Sequence, residues 1–198
     1  MPFIFKRLAL FMSIVGAFAA DKDKAPFRAS PSASYPHHET NSGLTIGIDP
    51  YITQDKEKTA FGKLDVYKYG VLPVLVVIQN DSGKAIRLDR IKAEYVGPHG
   101  DRIPATPAED VRYAYGPNRP GIIAGPVGPV PAKMKKNPLD AWEIEGRAFA
   151  AKMLPAGNSA YGFFYFETGL QRGATIYFNG LAEANTGTEL LYFEIPLE

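Results

Sequence analysis

The sequence predicts a mainly β fold, an antiparallel β-sandwich of about seven strands with one inserted helix over about residues 138–152 and one long Gly/Pro-rich loop. Three observations lead there. Short apolar runs with strand periodicity recur along the chain between clusters of turn residues, helical patterning is confined to one late segment, and no strand-helix-strand alternation occurs. The bulk composition agrees: 45% hydrophobic and 22% charged residues place the chain among ordinary globular proteins, and 198 residues suit one domain with a sizeable core.

The first segment reads as an address. Lys6-Arg7 precedes an apolar run over residues 8–18, too short for the ~20 residues of a spanning helix, and Ala17-Phe18-Ala19 offers a small-x-small cleavage pattern. A signal peptide over 1–19, cut after Ala19, is expected, with the mature protein exported by a bacterium to the periplasm, the outer-envelope surface or the medium. No membrane span then remains. The absence of cysteine excludes a lipid-accepting residue after the apolar run, as it does disulfides, thiolate metal sites and cysteine nucleophiles.

Residues 20–42 are rich in Ala, Ser, Pro and Lys without apolar periodicity, and predict a flexible tether. The sandwich domain is expected over 43–198. Leu44, Ile46 and Ile48 alternate with Thr45, Gly47 and Asp49 as a half-buried strand ended at Pro50, and the polar stretch Gln54 to Thr59 follows as a loop. Val71 to Ile78 is apolar on both faces, which predicts a central strand, with Pro73 near its start and Asn80-Asp81-Ser82-Gly83 turning it into a hairpin. Ile91, Ala93 and Tyr95 alternate with Lys92 and Glu94, a second half-buried strand.

Gly116 to Pro131 holds five prolines (117, 120, 126, 129 and 131), and predicts a long loop without regular structure. Asn137-Pro138 then supplies an N-cap and first-turn pair, and Leu139, Trp142, Gly146, Phe149 and Met153 fall on one helical face, which predicts a helix to about Lys152. Tyr161 to Glu167 is aromatic on both faces and reads as a central strand. Thr175 to Asn179 and Leu190 to Ile195 complete the sheets, with Ile176 and Phe178 facing Leu191, Phe193 and Ile195 across the core and a hairpin loop over Glu183 to Gly187.

Two stretches, Leu72-Pro73-Val74-Leu75-Val76-Val77-Ile78-Gln79-Asn80-Asp81-Ser82-Gly83 and Leu154-Pro155-Ala156-Gly157-Asn158-Ser159 leading into Gly162-Phe163-Phe164-Tyr165-Phe166, carry a resemblance. In them the chain resembles secreted bacterial immunoglobulin-like domains of unassigned function. The resemblance implies an immunoglobulin-like sandwich in which the first stretch is an inner strand and the second a turn feeding the opposite sheet. The cysteines and core tryptophan of antibody domains are missing.

No residue pattern demands catalysis. Lys and Arg total 22 against 21 Asp and Glu, so no long-range field attracts nucleic acid. His37-His38-Glu39 is the one cluster with metal-ligand chemistry and is too sparse for a zinc site, so neither a metal nor another cofactor is expected. Ser159 sits in a turn before a strand, where a nucleophile elbow requires a helix. Glu109, Asp110, Glu143 and Glu145 could supply an exported hydrolase with a carboxylate pair, although surface charge is the simpler reading. The remaining expectation is a non-catalytic binding or interaction module of the cell envelope, with an unknown protein or envelope component as partner. Its candidate binding residues are Tyr113, Tyr115 and Arg119, which lead into the Gly/Pro loop, and a structural envelope protein is the further alternative.

Overall fold

The computed structural model describes residues 27–114, 122–125, 128–131, 137–190 and 192–197. The signal-peptide reading lies outside these residues. In chain order the strands are β1 (His37–Asn41), β2 (Leu44–Pro50), β3 (Leu72–Asn80), β4 (Ile86–Arg87), β5 (Lys92–Val96), β6 (Arg102–Pro104), β7 (Ile122–Gly125), β8 (Gly128–Pro131), β9 (Met153–Leu154), β10 (Ser159–Phe166), β11 (Thr175–Asn179), β12 (Ala182–Glu183) and β13 (Phe193–Pro196), with helices α1 (Gln54–Phe61) and α2 (Trp142–Arg147). Two four-stranded antiparallel sheets, ordered β1-β2-β3-β10 and β13-β11-β5-β6, make the mainly β sandwich, beside a small β12-β4-β9 sheet and the β7-β8 hairpin.

Side-chain alternation explains the layers. Leu44, Ile46 and Ile48 of β2, Leu72, Val74, Val76 and Ile78 of β3 and Phe166 of β10 point inward against Ala93, Tyr95, Ile176, Phe178, Phe193 and Ile195 of the second sheet. The opposite face of the first sheet carries Leu75, Val77, Phe163 and Tyr165, which are buried under Ala60 and Phe61 of α1 and under Val66, Val111, Leu139 and Ile144. A sheet covered on both faces needs strands that are apolar on both faces, which is why β3 and β10 read that way. The facing expected across the core becomes a pairing within one sheet, because β11 and β13 are neighbours there with Ile176 opposite Ile195 and Phe178 opposite Phe193, while Leu191 lies outside the described residues.

Several elements differ from expectation. The tether is structured from Phe27 onward: β1 pairs along β2 through a two-residue turn in which Ser42 and Gly43 have φ of 51° and 77°, the left-handed pair that a type I′ hairpin requires. Glu39 on β1 accepts a hydrogen bond from Glu194 N at 2.8 Å, so a polar edge strand closes one side of the sandwich without any apolar signature. The stretch Gln54 to Thr59 is helical. Thr53 caps it by accepting from Lys56 N at 3.4 Å, and Gly62 ends it at φ 71°.

The helix expected over 138–152 shrinks to α2. Trp142 is 74% exposed, and Phe149 leaves the helix to donate its N–H to Phe163 O at 3.0 Å, because the free edge of β10 offers backbone partners that outweigh helical periodicity. Met153 belongs to β9. The Gly/Pro stretch is also more regular than its prolines suggest, since β7 and β8 form an antiparallel hairpin with Gly125 opposite Gly128. β10 is the last strand of its sheet rather than central, its outer edge covered by Phe149 and by Thr106, whose N–H donates to Tyr165 O at 2.8 Å.

The turn after β3 does not make a β3-β4 hairpin, because β4 joins β9 and β12 instead. Asn80 organises the departure. Fully buried, it donates from Nδ2 to Lys84 O (2.7 Å) and Leu154 O (2.9 Å) and accepts at Oδ1 from Ser82 N (3.1 Å) and Ser82 Oγ (2.6 Å). Every polar group of this side chain is satisfied, and removing it takes a donor from two carbonyls, of which Lys84 O keeps the Ser82 hydroxyl at 3.3 Å. Asn80→Ala is expected to lower the unfolding free energy by about 3 kcal/mol in urea titration. A change below ~1 kcal/mol would show that water replaces the amide freely.

Candidate functional site

Past β6 the chain changes sheets. Ala105 N still donates to Ala93 O at 2.9 Å, and one residue later Thr106 N reaches Tyr165 O on the first sheet. Pro104 and Pro107 flank this crossing and withhold the donors that would continue a ladder. On the other side Ala148 bridges Phe163 in parallel before Phe149 turns inward. Between these two attachments to β10 the sandwich wall is open. The notch measures about 280 Å³ and is walled by Ile91, Ala93, Phe149 and Phe164, with Lys92, Glu94 and Thr106 among its polar lining; Phe163 and Tyr165 border it as residues of β10 while their side chains pack on the opposite face of the sheet.

Its aromatic walls are fixed by mutual packing. The rings of Phe149 and Phe164 stack at 5.4 Å and 24°, and Phe164 meets Phe178 edge-on at 6.0 Å. The polar groups are mostly committed. Glu94 Oε2 accepts from Arg102 Nη1 at 2.7 Å, Thr106 Oγ1 donates to Glu167 Oε1 at 3.3 Å, and Tyr165 OH donates to Ile144 O at 2.7 Å. Burial pushes the Tyr165 phenol far above its ordinary pKa, so it serves as a structural donor and not as an acid. Lys92 is exposed and forms no ion pair among the described residues.

The residues singled out in the sequence are distributed elsewhere. Tyr113 ends a 3-10 turn, Val111–Tyr113, and is 53% exposed. Tyr115 and Arg119 lie outside the described residues. The root of the insertion is a clamp: Arg112 pairs with Asp140 at 3.1 Å and with Glu145, its Nε donates to Glu109 O at 2.9 Å, and Asn137 Nδ2 donates to Arg112 O. The two ends of the segment carrying β7 and β8 are thereby held together, and Glu145 is spent on Arg112 rather than on another carboxylate. His37 and His38 alternate along β1, with His38 Nδ1 bonded to Tyr35 O at 2.7 Å and Glu39 engaged by Glu194. Among the described residues no three His, Cys, Asp or Glu side chains converge, and no helix is long and apolar enough to cross a membrane.

A carboxyl pair that the sequence did not reveal joins α1 to the following turn. Glu57, 1% exposed, accepts from Tyr67 N at 2.7 Å and shares a side-chain hydrogen bond with Asp65, which itself accepts from Lys68 N at 3.0 Å. Burial, and then the bond to Asp65, push Glu57 up to about 8, whereas the proton that Glu57 donates holds Asp65 below the usual carboxylate range. Thr53 as N-cap and Gly62 as C-cap were the signals that could have found this helix.

No protein-family model matches the chain. No curated protein matches it either. Among solved structures it is similar to a DUF4426 family protein from Pseudomonas aeruginosa PAO1 (9% identity, 80% of this chain and 94% of that one, TM-score 0.31). It is also similar to the secreted protein MPT63 from Mycobacterium tuberculosis (12%, 83% and 95%, TM-score 0.33) and to a functionally unknown protein from Listeria monocytogenes EGD-e (12%, 80% and 79%, TM-score 0.34). Likeness at these scores carries no argument about activity or ligand.

Proposed function

We propose that this chain is an exported, non-catalytic binding module of the bacterial envelope, with an immunoglobulin-like scaffold, that receives a small ligand with an apolar body in the notch beside β10. The observation that carries this reading is the opening of about 280 Å³ between the sheets, walled by packed aromatic rings whose neighbouring polar groups are already paired. Concave apolar sites with few polar groups are the ordinary form of a ligand site, and this one lies at the small end of their size range. The insertion rooted on Arg112, with Tyr113, Tyr115 and Arg119, is the proposed face toward an envelope partner.

The hydrolase alternative gains nothing from Glu57 and Asp65. Carboxyl groups in direct hydrogen bond leave no space for a glycosidic bond between them, and Glu57 is already held by Tyr67 N–H. The test uses the chain recovered after export, whose intact mass is expected to begin at Ala20. Titrating benzyl alcohol into the ¹⁵N-labelled protein is expected to shift the amides of Ala93, Phe149, Phe164 and Thr106 selectively. Shifts absent there, or spread evenly over the surface, overturn the notch as a binding site, and a mature chain beginning at Met1 overturns export with cleavage.

A further inference from the structure

We infer that the chain carries a second binding site, centred on Trp142, for an uncharged sugar ring of a glycan. This site shares no residue with the notch and does not rest on it.

Trp142 is the only tryptophan of the chain and stands 74% exposed, although an indole is among the largest apolar surfaces a fold can bury. Its exposure is not slack. Leu139 before it and Ile144 after it are buried, and Arg147 Nε ties α2 to α1 by donating to Ala60 O at 3.2 Å. The indole itself leans on Gly146, where a Cβ would meet Trp142 Cε3 at 3.4 Å. A flat ring is thus presented to solvent from a rigid base. Beside it a cleft of about 450 Å³ runs between the turn after α1 and the start of α2, with Leu64, Pro138 and Ala141 in its apolar lining.

The polar side chains of the cleft decide the class of ligand. Asn137 is spent on Arg112 O and Leu139 N, and Asp140 is neutralised by Arg112 at 3.1 Å. Exposed Lys63 and half-buried Glu143 have no hydrogen-bond or ion-pair partner among the described residues. One base and one acid leave the cleft without net charge, so it favours neither an anion nor a cation. A wholly apolar ligand would strip water from Glu143 and give it no partner. A hydroxyl, which both donates and accepts, meets both groups. A sugar ring carries hydroxyls at its rim and a C–H face that packs flat on an indole, so it fits the ring and the rim together.

Because Trp142 is the sole tryptophan, the fluorescence of the full exported chain reports this site directly. Maltotriose, cellotriose and chitotriose are titrated in turn, with glycerol at matched hydroxyl concentration as the control. At least one triose is expected to change the emission saturably at millimolar concentration, with an affinity unaltered in 1 M salt, and glycerol to have no effect. Amide shifts in the ¹⁵N-labelled chain are expected at Leu64, Ala141 and Glu143 and not at Phe164 in the notch. Trp142→Ala is expected to keep the melting temperature and lose these shifts. Glu143→Ala is expected to weaken binding about fivefold, the scale of one hydrogen bond exchanged with water. No saturable response to any of the three trioses, amide shifts that persist in Trp142→Ala, or an affinity that falls steeply with salt overturns the inference. So does emission that varies with protein concentration in the absence of sugar, which would make Trp142 a contact between copies of the chain. None of these outcomes bears on the notch, whose own probe is benzyl alcohol.

Discussion

A chain beginning at Ser42 is expected not to fold cooperatively, although the apolar pattern of the sequence begins only there. Such a chain loses β1 and with it the whole pairing from His37 opposite Ile48 to Asn41 opposite Leu44. It also loses the arm that crosses the outer face of the first sheet. In that arm the Phe27 ring lies 5.7 Å from Phe163, 6.1 Å from Tyr161 and 6.3 Å from Tyr51, with the Arg147 guanidinium 5.4 Å above it and Tyr161 OH donating to Phe27 O at 3.1 Å. Farther along, Ser32 is buried so closely over β2 that a Cβ on Gly47 would sit 2.2 Å from the Ser32 carbonyl oxygen. Without these elements β2 becomes a bare apolar edge, a template for aggregation. The measurement is thermal unfolding of chains 20–198 and 42–198 side by side. A 42–198 chain melting cooperatively at the same temperature would reduce the arm to decoration. Phe27→Ala, which keeps β1, is expected to cost about 2 kcal/mol, less than a fully buried phenylalanine because the ring is partly exposed.

That contrast shows what kind of structure the sequence made legible. Strands β2, β3, β5, β10 and β11 announced themselves because burial sorts apolar residues by period, and β3 and β10 even disclosed that both their faces are covered. Elements held by backbone pairing and caps left no such trace. β1 reads His-His-Glu-Thr-Asn and is stabilised by its ladder to β2 and by Glu39, so hydropathy is silent about it. Helix α1 buries little beyond Glu57, Ala60 and Phe61, too few apolar positions to mark a stripe. Residues 138–152 failed in the opposite sense. Their helical spacing was present, but the unpaired edge of β10 claimed Ala148 and Phe149. The notch was illegible for the same reason, since it exists only where Thr106 and Phe149 attach to β10 from distant points in the chain, and Pro104 and Pro107 hint at a break without saying what lies opposite.

Glu57→Gln is expected to stabilise the protein above pH 8 while leaving it nearly unchanged at pH 5. In the folded chain Glu57 is raised from 4.5 to about 8, so between these values the native state holds a proton that the unfolded chain has released. Unfolding free energy therefore falls as pH rises through this window, and the loss is complete once pH exceeds the folded value. Asp65 acts in the other direction. Its folded pKa is lowered from 3.8 by the Glu57 hydrogen bond, so its contribution is present above that value and disappears as pH falls below it. The pair is at its best around the two unfolded values, 3.8 for Asp65 and 4.5 for Glu57, and loses stability on either side. Glutamine reproduces the protonated state, with an amide N–H for Asp65 and a carbonyl oxygen for Tyr67 N–H, and has no proton to lose. At pH 9 the variant should exceed the wild type by an amount on the order of 5 kcal/mol, the linkage value of the Glu57 shift, and the two should differ by less than ~1 kcal/mol at pH 5. Urea unfolding of both proteins at the two pH values measures it. A difference independent of pH would mean that Glu57 is ionised in the native state, and the tie between α1 and the Tyr67–Tyr69 turn would then have to be an ion-dipole contact instead of a shared proton.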